Sequence, residues 1–404
     1  MTQESVIIGR PRLLRQTNAQ VLLRFLRATG PCSKADLVRA SGLSAPTVTN
    51  VVAHLASAGL IEPIGEGDST GGRPPDILRF RAERGTVAGV EIGPDFLRFL
   101  LTDLDGREIA RTRVVLPRSK STPPEVCAQI SAEVGGLLRK HARPADLLGL
   151  VVGVPAIVNV KEGLVTAFTA LQGWNNVPLR SLLDKEFRCP VTIENDTNLA
   201  AQGESYRGAA QGEKNFVFIT IGEGVGAGIF IGGKIYRGAQ WSAGEIGYLR
   251  VPSISRDHPT MHAYGRLEKV LGAPGILKSW RASGPGQHKP KVRDAAAVFD
   301  LAAAGNALAK RILTQRATIL ADIVLDLALI LNPSVILLGG EVGRHPRLLQ
   351  EVKALLMGNE VATVRVQPSA LESSAILWGA VYTALEPAIL GLIRTSSPAP
   401  DPAS

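Results

Sequence analysis

Cysteine is scarce in this chain, and its placement excludes a disulfide-held fold. Among 404 residues there are three cysteines, Cys32, Cys127 and Cys189, which are far apart and never in a Cys-x-x-Cys spacing. Small extracellular domains held together by disulfides carry an even number of more closely spaced cysteines. We therefore expect three buried, reduced thiols and a cytoplasmic protein.

Long apolar runs are missing as well. The N-terminal stretch MTQESVIIGRPRLLRQ has no apolar segment long enough for a signal peptide, and no uninterrupted run of about 18 apolar residues occurs. The sequence therefore predicts no membrane span. With 45% hydrophobic and 20% charged residues it has the composition of a globular protein. Its length predicts two or three domains.

Positive charge exceeds negative charge. The formal net charge is +9 and the sequence pI is about 9.6. Such an excess favours an anionic partner such as nucleic acid, although it also keeps proteins soluble. Charge alone leaves both interpretations open.

The N-terminal region has the pattern of a helix-turn-helix. A first helix is predicted to begin at a cap on Asn18. Ser33 is placed to cap a second helix, with Asp36 three residues on as its acidic partner, and Gly42 ends it. Ser44 caps a third helix, and the tight turn between the last two helices makes the motif. A Gly/Ser/Pro-rich segment between two strand-like stretches then predicts a β-hairpin wing.

The third helix carries the residue types that read DNA. Small or polar residues on its outer face reach base edges in the major groove, while basic residues nearby meet phosphates. An arginine at the wing tip suits a narrow, A·T-rich minor groove. A helical protein-interaction module is the alternative. The predicted DNA-binding residues are Lys34, Arg39, Ala45, Thr47, Thr49, Asn50, His54 and, in the wing, Arg73.

The remainder of the chain reads as two related α/β lobes. Strand hairpins followed by αβ units occur twice from residue 86 onward, which predicts two lobes with a cleft between them. We expect a winged helix-turn-helix domain over 1–80, a linker over 81–85 and a disordered tail over 395–404. Lobe I is predicted over 86–194 plus 381–394, and lobe II over 195–380.

One strand end carries a group of acids and amides. In VTIENDTNLAAQGE, residues 191–204, a short apolar strand places Glu194, Asn195, Asp196 and Asn198 on a turn before a helix. Such groups suit holding a polyhydroxyl compound and accepting a proton from one of its hydroxyls. The stretch therefore predicts a sugar site, catalytic or not.

A series of motifs from residue 89 to about residue 384 resembles the ROK family, which groups sugar-responsive repressors with sugar kinases. They are GVPAIVN, GWNNVPL, IENDTNLAAQGE, GEGVGAGIFIGGKIYRG, SAGEIGYLRV, GRLE, LNPSVILLGGEV and GAVYTAL, in family order. The resemblance implies an α/β actin-like (ribonuclease-H-like) two-lobed ROK domain, preceded by the N-terminal winged helix-turn-helix of the repressor branch. It also implies a sugar site in the cleft and a role in carbohydrate sensing such as xylose metabolism.

The resemblance assigns the sugar site residue by residue. Asn195 and Asp196 fall on the family's sugar-contacting pair, and Asp196 takes the position of the kinase general base. Glu245 and Glu268 fall on two further sugar-binding glutamates, and Tyr248 replaces a histidine that faces the sugar. One amide and three carboxylates give each sugar hydroxyl an acceptor. The alternative is that these are ordinary surface acids.

Two departures from the family concern ATP. Pro94 removes an N–H donor from the first phosphate-binding hairpin, and Asp95 adds a carboxylate there. Glu223 replaces a threonine in the second hairpin. A like-charge pair about 5 Å apart costs roughly 3 kcal/mol at an effective dielectric near 20. We therefore expect no ATP use and no kinase activity.

The zinc site common in the family is also altered. Tyr248, Pro259, Met261 and Arg266 stand at its ligand positions, and none of these suits the tetrahedral site that zinc prefers. His258 and His262 lie four residues apart, but a pair without a third ligand is more often a solvated turn. We expect no metal and no cofactor.

These observations favour a sugar-responsive transcriptional repressor. We expect it to bind an inverted-repeat, A·T-rich operator as a homodimer or higher oligomer, with a sugar or sugar phosphate as effector. Two alternatives stay open. One is an ATP-dependent sugar kinase with an accessory DNA-binding domain, and the other is a repressor controlled by a protein partner.

Overall fold

A computed structural model describes residues 11–66, 74–117, 121–142, 147–167, 173–250, 265–282, 290–360 and 363–395. The helices are α1 Pro11–Thr29, α2 Lys34–Ser41, α3 Ala45–Ser57, α4 Pro123–His141, α5 Leu179–Leu183, α6 Asp196–Arg207, α7 Glu268–Leu271, α8 Ala273–Ala282, α9 Ala295–Ala303, α10 Ala307–Leu331, α11 Gly340–Gly343, α12 Pro346–Leu356 and α13 Ala375–Thr395. The strands are β1 Cys32–Ser33, β2 Ile61–Glu66, β3 Asp76–Phe80, β4 Thr86–Ile92, β5 Phe96–Asp103, β6 Glu108–Val115, β7 Leu147–Val154, β8 Ile157–Asn159, β9 Leu164–Ala167, β10 Val191–Asn195, β11 Phe216–Ile221, β12 Val225–Ile231, β13 Lys234–Ile235, β14 Val335–Gly339 and β15 Arg365–Pro368.

Helices α1 to α3 and the small sheet β1-β3-β2 form the N-terminal head. The predicted capping box is present, because Ser33 and Asp36 satisfy each other's backbone N–H groups at the start of α2. Gly42 ends α2 with a left-handed φ of 67°, and Ser44 accepts the Thr47 N–H at the start of α3. The predicted helix-turn-helix is confirmed. The tip of the β2–β3 hairpin, including Arg73, lies outside the described residues.

The predicted start of the first helix is wrong, and the short segment predicted as a linker is packed against the body. Helix α1 begins at Pro11 instead of Asn18, because proline suits a first helical turn and the following residues contain no helix breaker. The predicted linker over 81–85 contains a single 3-10 turn, Ala82–Arg84, and β4 begins directly after it. The Leu104 N–H donates to the Ala82 carbonyl (3.0 Å), so this segment is packed onto the body of the protein.

The body consists of two lobes with the same sheet topology. Lobe I has the strand order β10-β7-β4-β5-β6 and lobe II the order β13-β12-β11-β14-β15. In each, the first three strands in sequence pair antiparallel; the fourth strand pairs parallel with the first, and the fifth pairs parallel with the fourth. The predicted antiparallel run from residue 86 and the predicted repeat of two lobes are confirmed.

Helices α6 and α13 cross between the lobes at an unusually short separation. A side chain at Gly203 would collide with the Ala375 carbonyl of α13, and one at Gly379 with the Leu199 carbonyl of α6. Helix α6 also packs against β12 of lobe II. All of α13 is one continuous helix over the lobe I sheet, so the predicted boundary between residues 380 and 381 falls inside a single element.

The head is docked onto lobe I. Buried residues of α1 to α3 belong to the same hydrophobic cluster as residues of β4, β5 and α13. Two ion pairs flank this contact: Arg24 with Glu386 (2.6 Å) and Arg27 with Asp105 (3.2 Å). The head and the sheet of lobe I therefore share a core.

Helix α13 is the most apolar long element. By length and composition, the segment Glu372–Thr395 would be apolar enough to span a membrane, which the sequence prediction did not anticipate. In the folded protein, 56% of its most apolar window is buried. The core helix of a globular protein meets the same criterion. All three cysteines are buried and free, as predicted.

Candidate functional site

A cavity of about 250 Å³ opens between the two lobes. The carboxyl ends of β4, β7 and β10 and the amino end of α6 form its lobe I wall, and the β11–β12 turn and the segment after β13 form its lobe II wall. All five residues predicted to bind sugar line it: Asn195, Asp196, Glu245, Tyr248 and Glu268. The structure therefore brings together positions that are as much as 73 residues apart in the sequence, from Asn195 to Glu268.

Asn195 is fixed in place by hydrogen bonds on both sides of its amide. Its oxygen accepts the Asn198 N–H (3.0 Å) and caps α6, while its nitrogen donates to the Ala156 carbonyl (3.1 Å). Glu194, which is 1% exposed, accepts from the Asn195 N–H and the Asn198 amide. Arg237 donates twice to the other Glu194 oxygen, at 2.6 and 2.8 Å. This buried ion pair ties lobe II to the strand that carries Asn195.

Four carboxyl groups that influence one another line the cavity: those of Glu91, Asp196, Glu245 and Glu268. Burial, and secondly the nearby Glu91, raises the pKa of Asp196 to about 7. Burial, with Asp196 and Glu268, raises the pKa of Glu245 to about 7. Burial also raises the pKa of Glu91, although Arg98 donates to its Oε1 (2.5 Å). Near pH 7 the carboxyl groups of Asp196 and Glu245 are therefore partly protonated.

Glu268 and Tyr248 form the lobe II end of the site. The Glu268 carboxylate accepts the Val225 N–H (3.2 Å) and the Gly265 N–H (2.6 Å), which joins the glycine-rich turn to the start of α7. Burial, with Glu268 and Glu245 nearby, raises the pKa of Tyr248 to about 12. Tyr248, which also lines the cavity, therefore keeps a neutral phenol near pH 7.

The two acids predicted to repel ATP phosphates, Asp95 and Glu223, lie in different environments. Glu223 lines the cavity, whereas Asp95 is exposed and does not. The first hairpin is closed instead by Phe96, whose ring lies so close to Gly93 that a side chain there would collide with it. Pro94 and Phe96 both line the cavity, with the Phe96 ring beneath the Arg98 and Arg113 guanidinium groups.

Three residues of the site were not assigned from the sequence: Glu91, Arg237 and Trp241. Glu91 reads as one position of a buried strand, and Arg237 as a loop cation. Their roles depend on partners in the other lobe or on another strand. One carboxylate oxygen of Glu91 and the amide oxygen of Asn198 are buried without a hydrogen-bond partner in the described structure, which is the condition of groups that await a ligand.

Helix α3 exposes three of the five positions that were predicted to read DNA bases. Val48, Val51, Val52 and Leu55 are buried, and Ala45, Thr49 and Asn50 are exposed. Thr47 and His54 are half-buried, and the Thr47 hydroxyl bonds to Ser44 (2.8 Å) at the helix cap. At the start of the motif, Lys34 and Arg39 are exposed, with Arg39 paired to Asp36.

Among the described residues no group of three or more His, Cys, Asp or Glu side chains is arranged to hold a metal ion. Of the positions discussed for zinc, Pro259, Met261, His258 and His262 lie outside the described residues. Arg266 is 7% exposed and stands beside Glu268 in the sequence.

The chain thus has two parts, a winged helix-turn-helix head and an actin-like body. The body has two lobes of repeated ribonuclease-H-like topology with a polar cavity between them. The chain belongs to the ROK family, whose sequence model matches residues 87–386. The model of the MarR family matches residues 17–73.

Solved structures and curated relatives agree with this assignment. A ROK family transcriptional regulator, a homologue of the Escherichia coli Mlc protein, superposes with a TM-score of 0.77 over 95% of this chain and 98% of its own, at 23% identity. The glucokinase of Streptomyces griseus in complex with glucose and AMPPNP gives 0.63 over 75% and 100%, at 26% identity. The xylose repressor of Bacillus spizizenii is 32% identical over 240 residues, which cover 59% of this chain and 61% of that repressor.

Proposed function

We propose that this chain is a cytoplasmic transcriptional repressor that binds DNA through its head and a sugar in the interlobe cavity, which it does not phosphorylate. The observation that supports this proposal most strongly is a series of packed elements that connects the cavity to the head. Asp196, the first residue of α6, lies in the cavity; α6 crosses α13 in glycine contact; and α13 shares a hydrophobic cluster with the head. A ligand that favours one lobe arrangement thereby acts on the head.

The cavity suits a monosaccharide. Carboxylates and amides of both lobes line it and can accept from a ring of hydroxyl groups, and the volume lies below the roughly 300–1,000 Å³ typical of drug-sized ligands. Asn195, Asp196, Glu245, Tyr248 and Glu268 are the proposed sugar ligands. The relatives named as xylose repressors make D-xylose the first sugar to test.

DNA recognition is proposed for the exposed face of α3. We expect selection from a random duplex library to enrich an inverted, A·T-rich repeat that binds a dimer of the chain. Asn50→Ala, which removes a donor and acceptor from the base-reading face, should weaken binding to that site by about tenfold or more. Ser57→Ala, at the far end of the same helix, is the matched control and should bind normally. Failure to enrich any sequence would refute the proposal.

A sugar kinase is the second candidate, and one observation favours it. A carboxyl group whose pKa lies near 7 makes an effective general base, and Asp196 has that property. Against it, Glu223 and the Phe96 ring occupy the region where the phosphate-binding hairpins face the cavity. We expect no ADP release from MgATP with pentoses, hexoses or amino sugars. Turnover that disappears in Asp196→Asn would establish the kinase instead.

A thermal-shift screen separates sugar sensing from control by a protein partner. Stabilisation by a pentose, hexose, amino sugar or sugar phosphate, absent in Glu245→Gln, supports sensing. If no sugar in the panel stabilises the protein, the site is vestigial and the repressor responds to another molecule.

A further inference from the structure

We propose that Trp241 is the aromatic platform of the sugar site and determines its preference for a pyranose ring. The inference rests on the proposed function, because it requires that the cavity bind a sugar. Trp241 lines the same cavity as Asp196 and Glu245. Its side chain supplies what the carboxylates cannot, a flat apolar surface for the C–H face of the ring.

The backbone at Trp241 is in a conformation that tryptophan seldom adopts. Its φ is +63°, in the left-handed region where a bulky side chain is a genuine outlier. Such strain persists only where the surrounding structure fixes it, and it concentrates at ligand-binding sites. A large ring held in this way is unlike an ordinary surface residue of a loop.

The loop that carries Trp241 is anchored at both ends to the cavity wall. At its start, Arg237 forms the buried ion pair with Glu194. At its end, the Ala227 N–H donates to the Gly244 carbonyl (2.8 Å), and the Ala243 N–H donates back to the Arg237 carbonyl (3.2 Å). Glu245 follows directly. The indole is therefore positioned relative to both lobes and to the carboxylates.

The exposure of Trp241 also sets it apart. The other three tryptophans of the chain are buried: Trp174 is 0% exposed, Trp280 3% and Trp378 8%. Trp241 is half-buried. A pyranose ring has hydroxyl groups around its edge and C–H groups on its faces. An aromatic ring together with carboxylates can therefore recognise both the faces and the edge. An acyclic polyol would lose the stacked face.

Tryptophan fluorescence and affinity test this assignment in the full-length protein. The probe is whichever of D-xylose, D-glucose and N-acetyl-D-glucosamine gives the largest thermal shift. Its titration should change the emission of the wild-type protein, with no change in Trp241→Phe. Trp241→Leu should bind the probe about tenfold more weakly, whereas Trp241→Phe keeps most of the affinity. Trp378→Phe is the control and should keep both the emission change and the affinity.

The outcomes distinguish this inference from the proposed function. If neither these three sugars nor any other member of the thermal-shift panel stabilises the wild-type protein, the proposed sugar binding and the platform are both overturned. If a sugar stabilises the protein but Trp241→Leu binds it with unchanged affinity, the platform alone is overturned. An emission change that persists in Trp241→Phe contradicts it in the same way.

Discussion

At the scale of single residues, the cavity is built from acids that are costly to hold in the absence of a ligand. Asp196 has a pKa of about 7 in the folded protein, against 3.8 as its ordinary value. The folded protein thus keeps a proton that the unfolded chain releases, so this group lowers the free energy of unfolding as pH rises from about 4 to 7. Above pH 7 the penalty is fully present.

Asp196→Asn should therefore stabilise the ligand-free protein at pH 8 by on the order of 2 kcal/mol, with little effect at pH 4. The asparagine oxygen can still accept the Thr197 N–H that Asp196 accepts at 2.7 Å. Urea unfolding at both pH values measures the difference. Asp184→Asn removes an exposed carboxylate from the same lobe and serves as the control. A loss of stability at pH 8 would show that the burial cost of Asp196 is compensated.

The two acids near the phosphate-binding hairpins offer a matched pair. Because Glu223 lines the cavity and Asp95 does not, Glu223→Thr should strengthen the binding of MgAMPPNP by about tenfold, and Asp95→Thr should leave it unchanged. Equilibrium binding by calorimetry with both variants is the measurement. Equal effects of the two substitutions would mean that Asp95 also acts on the phosphates.

Sequence alone could predict residues whose role is local. The caps at Ser33 and Ser44 follow from side-chain and backbone groups three residues apart, and both are present. The motifs also led to Asn195 and Glu245 in one cavity. The ion pair of Arg237 with Glu194 joins residues 43 positions apart and left no pattern in the sequence. The left-handed backbone of Trp241 is likewise set by the anchoring of its loop.

At the scale of elements, the crossing of α6 and α13 depends on two glycines. Gly379→Ala would place a methyl group against the Leu199 carbonyl, and overpacking of this kind costs roughly 1–3 kcal/mol. We expect that loss of stability in urea unfolding, together with a weaker response of operator binding to sugar. Gly391→Ala, in the same helix with open space around it, should be neutral or stabilising by up to about 1 kcal/mol. Equal stability of the two variants would refute a tight crossing.

Element types were predictable, but their ends and assignments were not. Periodicity gave the three antiparallel strands from Thr86, and they are present. The packing of the segment RAERG was not predictable, because it is polar and short, yet the Ala82 carbonyl accepts a hydrogen bond from the following hairpin. The predicted boundary between the lobes falls inside α13, because the sequence of an apolar helix does not indicate which sheet the helix covers.

At the scale of the whole molecule, the head is part of the folded body. It shares a hydrophobic cluster with lobe I and is held by the ion pairs of Arg24 and Arg27. We therefore expect a change in lobe arrangement to move the head together with lobe I. In a dimer this alters the spacing of two recognition helices, which must match the half-sites of an operator.

The central claim is that sugar and DNA binding are linked without nucleotide. Fluorescence anisotropy with the selected operator, in the absence of ATP, measures it most directly. Saturating amounts of the sugar that stabilises the protein should change the dissociation constant for the operator by roughly 5–150-fold, and Asp196→Asn should abolish the change. An operator affinity that stays the same with a bound sugar, or that changes only when MgATP is added, would contradict the account.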